Sequence, residues 1–320
     1  MHMKSPDFWR CAVGLGVAVA LLAGCGGPQP LIGAPSVVPQ SRIAARSHND
    51  YDVTGPLLYV TEYGFGGSVL IYDAKANDPS PKASITEGLG GPDGDCLDGQ
   101  GTLYVTSGSS NGVGWISEYP AGKTKPSKMI TKGTDGPAYC AVDSQGNLWV
   151  TNLYGPNVTE YLKGSTAPHT VIKKGMVYPV GIAIDDLGNL YVSNRVSEYS
   201  GNVEVYSAGS KSPTRTITNG VTSPVGIAVD AHRTLYVTNV LENNVEEYRS
   251  GQSIPYQTIT EDISSPSSAT VNKDGYLYIT NIGSYTVVEF AAGSTKASHR
   301  KISKDLQNPE DSAYSPPLLP

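Results

Sequence analysis

From Gly55 onward the apolar residues of this chain come in short runs, β-branched or aromatic, bounded by Gly, Pro, Asn and Asp. Such runs predict strands joined by tight turns, and no helical periodicity of useful length appears among them. One run returns six times: Leu58-Tyr59-Val60-Thr61, Leu103-Tyr104-Val105-Thr106, Leu148-Trp149-Val150-Thr151, Leu190-Tyr191-Val192-Ser193, Leu235-Tyr236-Val237-Thr238 and Leu277-Tyr278-Ile279-Thr280, with the leucines 45, 45, 42, 45 and 42 residues apart. The fourth unit shows the whole pattern. Pro179 to Asp185 is followed by a turn at Leu187-Gly188-Asn189, then by Leu190 to Asn194, Asn202 to Tyr206 and Thr214 to Thr218. Glu204 between Val203 and Val205 gives the period of two of a strand with unlike faces. These four runs are termed a, b, c and d.

A fixed period of about 40–45 residues with four strands per unit is the signature of a propeller blade. The expected fold is therefore all-β: a six-bladed β-propeller of four-stranded antiparallel blades over residues 51–316. Single repeats cannot bury their faces alone, so the six form one cooperative unit. The a run recurs at Pro92, Pro137, Pro179, Pro224 and Pro266, but none precedes Leu58. The missing one lies at the other end, where Asn308 to Tyr314 carries the same Pro-x-x-x-Ala pattern. The C-terminal strand is thus expected to complete the first blade and close the ring, which covers two strand edges, with 317–320 left as a tail. The c-run aromatics Tyr72, Tyr119, Tyr161, Tyr206, Tyr248 and Phe290 read as packing residues. Asn152, Asn194, Asn239 and Asn281, closing four b runs, read as side chains that hydrogen-bond a turn.

The N-terminus differs from everything after it. Lys4 and Arg10 precede an apolar run from Cys11 to Ala23, too short to span a bilayer. Leu22-Ala23-Gly24-Cys25 ends the run, and the segment resembles a bacterial lipoprotein signal. The resemblance implies removal of residues 1–24, a lipid on Cys25, and residence in the bacterial cell envelope, on the outer membrane or cell surface. Residues 25–50 would then be a flexible tether. Loss of Lys4, Arg10 and Asp7 takes the formal net charge from −6 to −7. A mildly acidic body without a basic stripe excludes nucleic acid as a partner.

Cys96 and Cys140 remain of the four cysteines. They fall four and three residues after their a-run prolines, so on neighbouring blades they point either towards each other, as a disulfide, or away. His169, His232 and His299 fall on d runs and an a–b turn and do not converge, which disfavours a histidine metal site or a Ser/His/Asp triad.

Repeats of the form Pro-x-Gly-Ile-Ala-x-Asp, Gly-Asn-Leu-Tyr-Val-x-Asn and Val-x-x-Tyr resemble NHL repeats and the wider six-bladed propellers that include gluconolactonase. In the lactonase relatives a divalent metal sits on the axis, held by acidic and Asn side chains that include the x of Pro-x-Gly. Around the ring that position reads Glu310, Asp93, Ala138, Val180, Val225 and Ser267. The resemblance therefore implies Asp93 and Glu310 as the candidate metal ligands, with Asp95 and Asp311 beside them and Ca2+ as the cation. A hard cation wants about six oxygens, so no cofactor is expected. The plainer reading of Asp93 and Asp95 is an acidic pair forming a turn. Propellers with streptogramin-lyase activity need a catalytic His on the same face, and none is placed for it.

What remains is a surface. The b–c loops and d–a loops emerge on one face and carry Tyr63, Phe65, Tyr154, Arg195, Tyr199 and Tyr285, with Tyr139 and Tyr178 where the d–a loops enter the a runs. Aromatics and Arg on irregular loops over a rigid scaffold have the composition of an interaction face. The expected function is a binding scaffold for a protein, peptide or glycan of the cell envelope, held to the membrane by an N-terminal lipid; the alternative is a metal-dependent lactonase-like hydrolase.

Overall fold

The computed structural model describes residues 50–64, 66–108 and 112–318, and the expected signal, tether and lipid site lie outside them, as does Phe65. Within these residues twenty-four strands form six four-stranded antiparallel sheets, each ordered a-b-c-d. The a strands are Pro309–Ser315 in blade 1 and Pro92–Leu97, Pro137–Val142, Pro179–Ile184, Pro224–Val229 and Pro266–Val271 in blades 2 to 6. The ring closes as the sequence predicts: Pro309–Ser315 pairs antiparallel with the b strand Leu57–Glu62, from Leu57 opposite Ser315 to Glu62 opposite Pro309. The chain after Ser315 is not yet a loose tail, since Pro317 bridges to Asn272 and Leu318 packs against a core cluster.

The core is divided between blade interfaces. Leu57, Tyr59 and Ile71 of blade 1 meet Leu103, Val105 and Tyr119 of blade 2, and corresponding clusters join blades 2 and 3, 4 and 5, 5 and 6, and 6 and 1. The six c-strand aromatics are fully buried there. Five of them also use the phenol: the hydroxyls of Tyr72, Tyr119, Tyr161, Tyr206 and Tyr248 donate to the backbone carbonyls of Lys304, Glu87, Lys132, Lys174 and Asn219. A large apolar ring is thus buried without stranding its polar end.

The last residue of the recurring Leu-Tyr-Val-Thr run holds neighbouring blades together. Thr151 Oγ1 accepts the amide of Tyr139 in its own blade at 3.0 Å and donates to the carbonyl of Val180 in the next at 2.6 Å. Ser193 repeats this with Gly181 and Val225, and Thr106 with Gly94 and Ala138. One hydroxyl is both acceptor and donor, so a single buried side chain satisfies polar backbone groups in two strands.

The b-terminal asparagines do what the sequence suggests, over a longer reach. Asn194 Oδ1 accepts the amides of Val177 and Tyr178 at 2.8 and 2.9 Å while its Nδ2 donates to the carbonyl of Gly175 at 3.0 Å. Each thus pins the d–a loop leading into its own blade, and Asn239 and Asn281 match it. In blade 1 the position is Glu62, whose Oε2 accepts the amides of Gln307 and Asn308 at 2.9 and 2.8 Å. Its buried Oε1 has no hydrogen-bond partner among the described residues. Burial pushes the Glu62 carboxyl above the usual carboxylate range, against the pull of those two amides.

On the opposite face, the amide of Tyr51 donates to the carbonyl of Gly122 and Lys123 pairs with Asp50 at 2.5 Å. The described chain therefore enters the domain against the c–d turn of blade 2.

Candidate functional site

The a strands converge on the axis, and the axis is filled near the d–a loops by one side chain. Tyr139 in blade 3 is 5% exposed. Its hydroxyl lies 3.1 Å from the carbonyl of Ser267 in blade 6 and 3.3 Å from that of Glu310 in blade 1. The ring therefore crosses the channel, and the expectation that Tyr139 belongs to the exposed loop surface is corrected: its place on the strand points it inward. Burial, with the carboxylates of Glu310, Asp311, Asp93 and Asp95 around it, pushes its phenol well above the ordinary range.

Those four carboxylates are all buried, in the a strands of blades 1 and 2. Asp93 and Asp95 therefore lie within a strand and are not a turn-forming pair. Asp311 bridges three blades: it accepts the amide of Asp95 at 2.9 Å, its own neighbour Ser312 at 2.8 Å, and the hydroxyl of Ser268. Burial pushes the Asp311 carboxyl up to about 6, with these donors drawing it back. Burial and the nearby Asp311 raise Asp95 well above the usual range; the Thr61 hydroxyl is near enough to draw it back without meeting hydrogen-bond geometry.

The donor set does not fit a hard divalent cation. Asp93 and Glu310 stand side by side, but Ala138, Val180 and Val225 complete most of that layer without side-chain oxygens. The Ser267 hydroxyl donates to the carbonyl of Thr280, and Tyr139 occupies the axis beneath. No group of three or more His, Cys, Asp or Glu among the described residues is arranged to hold a metal.

Below Tyr139 the channel opens into a cavity of about 150 Å3. At its Tyr139 end lie Asp95, Asp311 and Ser268; towards the a–b turns its wall becomes Leu97, Val142, Ile184, Val229 and Val271. Cys140 also lines it and is disulfide-bonded to Cys96, with the Cα atoms 5.7 Å apart, so the two cysteines face each other.

The other predicted residues do lie on the b–c and d–a loop face, but not as one patch. Tyr154 is half-buried and lies over Gly136, where an added Cβ would fall 2.1 Å from its Cδ2. Gly136 has a φ of 64°, a second reason for glycine there. Tyr63 is half-buried, with its backbone tied to Asn308 in the closing segment. Tyr178 and Arg195 are half-buried together in blade 4. Burial lowers the Arg195 guanidinium, and Tyr178, Glu198 and Glu242 oppose that.

Tyr199 and Tyr285 are the truly open aromatics of this face, 67% and 46% exposed. Tyr285 also has a φ of 54°, in the left-handed region, where the matching loop position of blade 5 is Asn243 with the same φ. Val113, Val177, Val196 and Leu241 are exposed on the same face, a contribution the sequence reading missed because single aliphatic residues in loops carry no periodic signal.

No family model and no curated protein matches this chain. Solved structures do. A chain in the crystal structure of a nidogen/laminin complex is similar with a TM-score of 0.67 and 17% identity, over 82% of this chain and 98% of that one. Kuenenia stuttgartiensis hydrazine synthase is similar with a TM-score of 0.54 and 15% identity, over 77% and 79%. At these identities the likeness establishes the fold: a six-bladed β-propeller.

Proposed function

We propose that this chain is an exported, lipid-anchored propeller whose b–c and d–a loop face binds a protein of the cell envelope. The observation that carries the reading is Tyr285. A tyrosine held in a left-handed conformation costs of order 1 kcal/mol unless surrounding contacts compensate, and this ring is largely exposed to solvent. Such an outlier points to selection for contact rather than for stability. Tyr199 on the same face, with Arg195 and the half-buried Tyr63, Tyr154 and Tyr178, supplies the aromatic and guanidinium groups that dominate protein interfaces. The nidogen/laminin neighbour, a propeller crystallised in a protein complex, supports a protein over a glycan as partner. The axial donor set favours binding over metal-dependent lactone hydrolysis.

The test pairs capture with stability. Tyr199→Ala and Tyr285→Asn should each weaken capture of an envelope protein by full-length, detergent-solubilised protein about tenfold or more, reproduced with the purified partner. Tyr285→Asn should leave the melting temperature unchanged or raise it by the equivalent of up to about 1 kcal/mol. Capture by both variants at wild-type strength would remove the reading. Cys25→Ser should move the protein from the detergent phase to the aqueous phase, since acyl chains contribute about 0.8 kcal/mol per buried methylene.

A further inference from the structure

The axial cavity lies on the far side of Tyr139 from the loop face, and the binding reading makes no use of it. Its volume of about 150 Å3 suits a molecule of roughly six heavy atoms, and a cavity this size stays dry only where its lining is apolar. Here the lining is divided. The a–b turn end is aliphatic, with Leu97, Val142, Ile184, Val229 and Val271; nearer Tyr139 one side holds Asp95, Asp311, Ser268 and Ser312, and Ile182 and Ile227 line the same layer as Asp95.

Asp311 has its donors within the protein. Asp95 is less well served: it is 4% exposed, it lines the cavity, and neither carboxylate oxygen meets hydrogen-bond geometry with a donor among the described residues, the Thr61 hydroxyl alone standing near enough to draw its carboxyl down. A buried carboxyl so poorly served by donors is costly to ionise, because water has been removed and little replaces it, and burial with the neighbouring Asp311 accordingly favours its protonated form. No Lys, Arg or His among the described residues lines the cavity to supply a positive charge.

We propose that the axial cavity is a binding site for a small aliphatic primary amine, its ammonium group on Asp95 and Asp311 and its hydrocarbon body against Leu97, Ile182, Ile227 and Val271. A primary ammonium brings a positive charge and three N–H donors, enough for both Asp95 oxygens. A quaternary ammonium brings charge without donors and is recognised by aromatic cages, whereas Tyr139 and Tyr314 are the two aromatic residues of this lining and the rest of the wall is aliphatic or small and polar. An alcohol brings one donor and no charge. Pro317 and Leu318 of the C-terminal segment also stand against the cavity.

The experiment uses full-length, detergent-solubilised protein and three probes of similar size: butylammonium, tetramethylammonium and butanol. Binding is followed by saturation-transfer NMR of the probe and by the melting temperature, which rises when a ligand binds the folded state alone. Butylammonium should bind and protect, and the other two at least tenfold more weakly. Asp95→Asn should weaken butylammonium at least tenfold while remaining folded by circular dichroism. Equal protection by butanol, no binding of butylammonium, or undiminished binding to folded Asp95→Asn would each overturn the site. Should Asp95→Asn not fold, the wild-type selectivity among the three probes decides.

Discussion

At the level of single residues, the exceptions within the repeat are the informative positions. Glu62 stands where four other blades have Asn, and it reproduces only half of that residue's function: it accepts two loop amides but has no N–H for a carbonyl. Its folded carboxyl is held above the ordinary value by burial. A raised carboxyl stabilises the fold while protonated, so this contribution is complete below the unfolded value and is lost as pH rises through the folded one. Glu62→Gln should therefore stabilise the protein at pH 7–8 by about 1 kcal/mol, the worth of one hydrogen bond, and flatten the decline of stability across the mildly acid range. A melting-temperature series from pH 4 to 8 checks this. An unchanged pH slope would mean that the carboxyl does not titrate differently in the fold. The recurring threonine was visible in the sequence from the start, yet its role was not legible, because one of its two partners lies on a strand of the next blade, which only the ring brings alongside. Tyr139 shows the same limit. Composition marks it as an interface aromatic, and only the convergence of six strands turns it into a plug.

The element that matters most is the last strand. Its Pro-x-x-x-Ala pattern and the absence of an a run before Leu58 made closure legible from sequence alone, since edge pairing must be satisfied somewhere. Its reach past Ser315 was less legible, because Pro316 and Pro317 read as a break. Deleting residues 308–320 uncovers the b strand of blade 1 and removes Asp311, which joins blades 1, 2 and 6. That truncation should lower the melting temperature by 10 °C or more, roughly, or yield insoluble protein, as an exposed strand edge invites aggregation. Deleting 319–320 alone should be nearly silent in the same melting assay.

For the molecule as a whole, stability is distributed among blade interfaces, so a bond across one of them acts on the ring. Cys96 and Cys140 join the a strands of blades 2 and 3 and enclose a sequence separation of 44. The chain-entropy argument gives about 4 kcal/mol for a loop of that length. Cys96→Ser/Cys140→Ser should therefore melt clearly below wild type, and reductant should lower the wild type towards the variant while leaving the variant unmoved. The parity of the two cysteines along their strands left both orientations open, because strand pattern gives a side without giving the rotation between neighbouring blades.

A propeller has two poles, and the described chain begins at one of them. The described chain arrives at Asp50 and Tyr51 against the Gly122 and Lys123 turn, on the pole of the a–b and c–d turns. Tyr199 and Tyr285 are on the other. The proposed anchor would therefore join the domain at the back of the disc, at the pole opposite Tyr199 and Tyr285.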